Sequence, residues 1–178
     1  MDISTLVKLT SRAWSLTILA LMHDGVARRQ APLLAASKAS RTAFAASLDH
    51  LVSLGLLERN PGHGHPLRPE FRLTPNGVRY AAIASRIIDA VPEEEELSLL
   101  RRNWTVPILA VTPRPRRFSG IKSDLPTITD RALSISLQQL EESEWLGRDI
   151  DTSARPPFPT YTALSKGLEI SRAIGLRL

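Results

Sequence analysis

The sequence predicts a mainly helical α+β protein in which two small domains, each closed by a short β-hairpin, follow one another along the chain. Three observations support this. A motif recurs about ninety residues downstream, helix and turn signals appear in the same order in both copies, and the composition suits burial of two small cores. The first anchor of the repeat is Arg12-x-Trp14-x-x-x-Ile18-Leu19-Ala20, matched by Arg102-x-Trp104-x-x-x-Ile108-Leu109-Ala110. The second is Ser47-Leu48-x-x-Leu51 with Leu56-Leu57-x-Arg59, matched by Ser136-Leu137-x-x-Leu140 with Trp145-Leu146-x-Arg148. The third pairs Phe71 and Gly77 with Tyr161 and Gly167. The offset is 90 for the first and third anchors and 89 for the second, so order and spacing agree to within one residue. A repeat of this kind fixes the organisation before any element is assigned, and it divides the chain into domains at 1–92 and 93–178.

In the first copy a helix is expected over residues 4–22, where Leu6, Trp14, Ile18, Leu19 and Leu21 recur at helical spacing. Gly25 is its stop. A short second helix covers 31–37. A third begins at Ser40, a residue suited to an N-cap; it buries Phe44, Leu48, Leu51 and Val52 and ends at Gly55. Residues 56–59 read as a strand and 70–73 as its return, with the turn-rich stretch Asn60-Pro61-Gly62-His63-Gly64-His65-Pro66 between them. Thr74-Pro75 is an N-cap followed by proline at the first helical position, and it opens a closing helix to about residue 90.

The second copy repeats the scheme. Helices are expected over 97–111, 119–124 and 129–143, a strand over 145–150, a wing over 151–159, a return strand over 160–163 and a last helix over 165–174. Thr112-Pro113-Arg114-Pro115-Arg116-Arg117 reads as a stiff basic connector, since prolines at that density do not allow a helix. Three helices, a hairpin and a closing helix make the outline of a winged helix-turn-helix, here in tandem. Trp14 and Trp104 fall within apolar stripes and read as packing residues.

Composition restricts the function. Hydrophobic residues are 43% and charged residues 23% of the 178, ordinary for a folded globular chain. No apolar run reaches the roughly 20 residues that span a bilayer, and no secretory signal pattern opens the sequence, so a cytoplasmic protein with no membrane partner is expected. With no cysteine there is no disulfide, thiolate ligand or thiol nucleophile. There is also no phosphate-cradling glycine loop and no arrangement of Ser, His and Asp to suggest an enzyme, and no cofactor is implied. His63 and His65 lie on a glycine-rich loop with no third ligand nearby, too little for a metal site. The net charge is +5. Residues 1–92 carry 11 Lys and Arg against 6 Asp and Glu, while residues 93–178 carry 12 of each, four of the acids being the run at 93–96. Apart from that run, usually a solvated helix start, both halves have basic surface to offer an anionic partner.

A resemblance sharpens this expectation. Trp104-x-x-x-Ile108-Leu109, Arg117-Phe118-Ser119-x-Ile121, Leu125-Pro126-x-Ile128-Thr129-x-Arg131-x-Leu133, Leu137-x-x-Leu140-Glu141, Leu146-x-Arg148, Tyr161 and Gly167 run in order through nearly all of 100–175. This stretch resembles the HxlR-type winged-helix regulators, a branch near the MarR group. The first copy matches more loosely, best at Phe71-x-Leu73-Thr74-Pro75-x-Gly77, and lacks the Arg-Phe pair before its second helix. The resemblance implies a DNA-binding transcriptional regulator that usually acts as a dimer of single-domain chains. This chain departs from that pattern in carrying two domains. It also lacks the cysteine near the first helix that redox-sensing members carry, which excludes thiol sensing.

In a helix-turn-helix the N-terminal residues of the recognition helix meet base edges in the major groove. The first copy offers Lys38, Ser40, Arg41 and Thr42 there, the second Thr127, Thr129, Arg131 and Ser134. Arginine pairs bidentately with guanine, and hydroxyls suit phosphates or bases. Asp130 would accept from cytosine or hold Arg131. In the wings, Arg68 and Arg155 are placed to enter a minor groove, and Arg117 to hold the backbone by charge. The alternative for all of these is an exposed polar helix start or a solvated loop.

The function expected is therefore a sequence-specific, double-stranded-DNA-binding regulator, a repressor, that works as a covalent pseudo-dimer. A tandem winged-helix scaffold for protein partners is the competing reading. The sequence leaves open whether a small ligand acts as effector and whether whole chains form a homodimer.

Overall fold

The computed structural model describes residues 2–60, 70–153 and 155–176. The chain forms two compact units, one of Leu9–Pro92 and the other of Met1–Lys8 with Glu93–Leu178. The elements run α1 (Ile3–Thr10), α2 (Ser15–His23), α3 (Gln30–Ser37), α4 (Arg41–Ser53), β1 (Leu57–Asn60), β2 (Glu70–Leu73) and α5 (Pro75–Asp89). They continue as α6 (Glu94–Leu100), α7 (Thr105–Val111), β3 (Arg116–Arg117), α8 (Phe118–Asp124), α9 (Asp130–Glu142), β4 (Leu146–Asp151), β5 (Phe158–Ala163) and α10 (Ser165–Ile174).

The unit of residues 9–92 is built around α2, with α5 packed along it. Ile18, Leu19, Leu33, Phe44, Leu48, Leu51, Phe71, Ala81, Ala84 and Ile87 make its core, each at most 2% exposed. Ser85 Oγ donates to Asp24 Oδ1 at 3.0 Å and pins α5 to the end of α2. The strands β1 and β2 pair antiparallel from Leu57 opposite Leu73 to Asn60 opposite Glu70. In the other unit α10 packs on α7, and the sheet order is β3-β5-β4 with every pairing antiparallel. Ile108, Leu109, Ile121, Leu133, Leu137, Leu140, Trp145 and Ile170 form the core there. Trp14 and Trp104 are half-buried.

Side-chain caps open α4, α5 and α9. Ser40 accepts a hydrogen bond from the Ala43 amide at 3.3 Å, Thr74 from Gly77 at 3.0 Å and Thr129 from Ala132 at 3.1 Å. Each satisfies a donor that the first helical turn leaves without a partner. At the other end α4 closes through Gly55, at φ +67°, with the Leu56 amide on the Leu51 carbonyl at 3.0 Å. The second copy makes the same bond, Trp145 amide to Leu140 carbonyl at 3.0 Å, but holds Glu144 at φ +57°. The recurring glycines of the last helices also have a physical cause. A Cβ on Gly77 would stand 2.0 Å from the Leu56 carbonyl oxygen, and one on Gly167 2.0 Å from that of Trp145. Only glycine lets the closing helix approach the strand entry so closely.

Two expectations change. The long first helix of each copy is broken, into α1 and α2 and into α6 and α7. A continuous helix would carry Arg12 three residues after Leu9 and four before Leu16, on the buried face; the turn places it in solvent. Arg102 stands in the same relation to Leu99 and Val106. In the second copy Pro107 also forbids a helix that begins at residue 97, because its ring would meet the carbonyl four residues earlier. With α7 beginning at Thr105, Pro107 lies in the first turn, where a missing N–H costs nothing.

The second change is that the basic connector is not wholly a connector. Arg116 and Arg117 pair with Tyr161 and Thr160 as a third strand, and the Ala163 amide bonds the Thr112 carbonyl at 2.8 Å. The first copy keeps a trace of this strand. There the Phe71 amide bonds the Arg28 carbonyl at 2.8 Å, and Arg29 bridges Glu70.

The acidic run has a structural partner. Lys166, at the start of α10, donates to the carboxylates of Glu93 and Glu96. These contacts raise the Lys166 pKa above the usual lysine value, and the bond from Lys166 holds Glu93 below the usual carboxylate range.

Candidate nucleic-acid interface

In each unit a short helix, a turn and a longer helix stand in series: α3 then α4, and α8 then α9. Leu33 and Ile121 anchor the short helices in their cores. Phe44, Leu48 and Leu51 do so for α4, and Leu133, Leu137 and Leu140 for α9. This apolar anchoring sets which face of each long helix meets solvent. The sequence-predicted residues Lys38, Ser40, Arg41, Thr42, Thr127, Thr129, Arg131 and Ser134 are all exposed at or near the N-terminal turns of α4 and α9. Lys38 occupies the turn itself as the left-handed C-cap of α3, at φ +57°. Among the described residues Arg41 and Arg131 make no ion pair, so their guanidinium groups are available to a ligand. Ser40 and Thr129 are engaged as caps.

Asp130 holds Lys122 rather than Arg131. Lys122 Nζ lies 2.9 Å from Asp130 Oδ1 and also donates to the Ile128 carbonyl. One ammonium group thus ties α8 to the turn and to the first residue of α9, and it offsets a carboxylate that would otherwise repel a phosphate. Sequence reasoning missed Lys122. Its position on α8 gave no sign of a contact with the helix after the turn, because that contact depends on the path of residues 125–129.

The wing of the second copy is organised around Arg117. This residue is the N-cap of α8, and its guanidinium carbon lies 3.3 Å from the centroid of the Phe158 ring on β5. Stacking on an aromatic face holds the planar cation while leaving its edge exposed. Arg155 shares an open concavity with Arg117, Ser119 and Phe158. Two candidates that lie far apart in sequence are therefore neighbours, at the root of the wing and beside the second helix. Asp151 accepts from the Ser153 amide at 2.9 Å and from its hydroxyl at 2.5 Å, which lowers the carboxyl pKa and fixes the turn that leads into the wing. Arg116 is committed elsewhere, to Asp124. Arg68, His63 and His65 lie outside the described residues. Among the described residues no group of His, Asp or Glu is placed to hold a metal ion, and no helix is long and apolar enough to cross a membrane.

Comparison with known proteins agrees with the repeat. The family model described as HxlR-like helix-turn-helix matches twice, over residues 9–96 and 99–176. No curated protein matches the chain. Among solved structures, the reduced form of the transcriptional regulator YodB from B. subtilis is 28% identical, with a TM-score of 0.42. That likeness covers 47% of this chain and 82% of the other. Two matches that together take in nearly the whole sequence, on two units that each carry the helix-turn-helix, place this chain in the HxlR-like helix-turn-helix family.

Proposed function

We propose that this protein is a sequence-specific double-stranded-DNA-binding transcriptional regulator, a repressor, that acts as a covalent pseudo-dimer through two recognition helices and two wings. The observation that carries the reading is the exposed, uncommitted arginine in the first turn of each long helix: Arg41 on α4 and Arg131 on α9. In this family of folds that turn faces the major groove, where arginine reads guanine. Lys38, Ser40, Thr42, Thr127, Thr129 and Ser134 surround the two arginines and serve the backbone or neighbouring bases. Arg117 and Arg155 hold the backbone or minor groove at the second wing, and Arg68 does so at the first. No catalytic role is assigned. The two helix starts differ, Ser40-Arg41-Thr42 against Thr129-Asp130-Arg131, so the operator is asymmetric.

The test is a fluorescence titration of the full chain against duplex selected from its own genome and against scrambled duplex, at low and physiological salt. Specific binding that weakens with salt, and a loss of about 1–3 kcal/mol in Arg41→Ala and in Arg131→Ala on the selected duplex alone, is the expected result. Equal weak binding to both duplexes that disappears at physiological salt would overturn the reading and favour a protein scaffold. Derepression of a promoter fused to the operator when the chain is deleted checks the sign of regulation.

A further inference from the structure

Helix α9 turns Leu133, Leu137 and Leu140 into the core. At about 100° per residue, Ile135 lies about 200° from both Leu133 and Leu137. It therefore stands opposite the core face, and 44% of it is exposed. Along that outer face it is flanked by Arg131 one turn before, by Ser134 beside it and by Gln138 one turn after, all exposed. A β-branched aliphatic residue suits a solvent-facing helix position poorly. It is a weaker helix former than Ala, Lys or Gln and leaves apolar surface in water.

Single exposed apolar side chains are common on proteins, so exposure alone decides nothing. Position does. Of the large hydrophobic residues exposed among the described ones, Val78, Ile135, Ile150 and Leu164, Ile135 is the one carried by a recognition helix. A polar side chain there can find a donor or acceptor on any base pair. An aliphatic one has a single complementary feature in the major groove, the C5-methyl of thymine.

We infer that Ile135 is a specificity-determining residue that selects thymine in one half-site by packing on its C5-methyl group. The inference rests on the DNA-binding reading above. Four residues of helix rise about 6 Å, close to two base-pair steps of 3.4 Å, so the selected thymine lies one or two pairs from the base that Arg131 contacts. The corresponding position of α4 is Ala46, short and half-buried. Thymine selection of this kind therefore belongs to the second copy alone.

Replacing thymine by uracil removes only the methyl group. A binding site is selected from random duplex with the full chain, and each dT in it is replaced in turn by dU. One replacement, in one half-site, weakens binding about fourfold, the worth of one buried methyl. Ile135→Ala then binds the dT and dU duplexes alike, with its thermal unfolding unchanged, while Ile135→Val keeps part of the preference. If a site is selected and bound but no dU replacement distinguishes the native chain from Ile135→Ala, the inference is overturned and the DNA-binding reading stands. If no sequence is enriched, the reading falls, and the inference with it.

Discussion

At the scale of single residues, the candidate interface depends on which charges are already committed. Arg116 is bound to Asp124 and Arg117 is stacked on Phe158, so two adjacent arginines have different surroundings. Lys122 offsets Asp130 at the start of α9, with the carboxylate side chain 77% exposed and the ammonium 34%. A pair this exposed contributes little to folding, about 0.5 kcal/mol, but it lies beside the expected path of a phosphate. Lys122→Ala should lower DNA affinity severalfold at low salt, with a loss that fades as salt rises. Asp130→Asn should raise affinity under the same conditions. Titrations of both variants at two ionic strengths check this. If neither moves the affinity, the start of α9 does not face the duplex.

At the scale of elements, two backbone positions decide how each unit closes. Gly77 and Gly167 let the last helix sit against the strand entry at a distance no side chain permits. Gly77→Ala and Gly167→Ala should each destabilise the protein by about 2–3 kcal/mol, since the obstacle is a backbone carbonyl that cannot rotate away. Glu144 predicts the reverse. It holds the left-handed position that Gly55 takes in the first copy, and a side chain there is strained. Glu144→Gly should stabilise by about 0.5–1 kcal/mol, reduced from the full relief because glycine loses more freedom on folding. Urea unfolding of the three variants beside the native chain gives the comparison. A fall in stability for Glu144→Gly would mean that its side chain contributes more than its backbone conformation costs.

For the whole molecule, the proposed pseudo-dimer would make the second binding event intramolecular, since both helix-turn-helix units lie in one chain. One chain should then occupy one operator. Footprinting should reveal two unlike half-sites, and sedimentation of the complex should give one protein per duplex at saturation. Two chains on two identical inverted half-sites would contradict the pseudo-dimer and return the protein to ordinary dimeric recognition. The net charge of +5 supports association with DNA, but the salt dependence of binding reports only the phosphates that are contacted.

Sequence alone determined the architecture. The anchors at 90 and 89 residues, the caps at Ser40 and Thr74, and the glycine at 55 are local or periodic features. Their physical causes act within a few residues or a single helix face, so they are legible in order along the chain. The exposure of Arg41 and Arg131 at the starts of α4 and α9 was legible for the same reason, since an apolar stripe fixes which residues of a helix face outward. Tertiary structure decided what depends on residues far apart. It broke the first helix of each copy so that Arg12 and Arg102 stay in water, and it made Arg116 and Arg117 a third strand against Tyr161 and Thr160. It also gave Asp130 to Lys122 instead of Arg131 and set Arg117 beside Arg155. Periodicity states which face of an element is apolar. It cannot state which charge will stand within three ångströms of another, because that distance is set only when the elements pack.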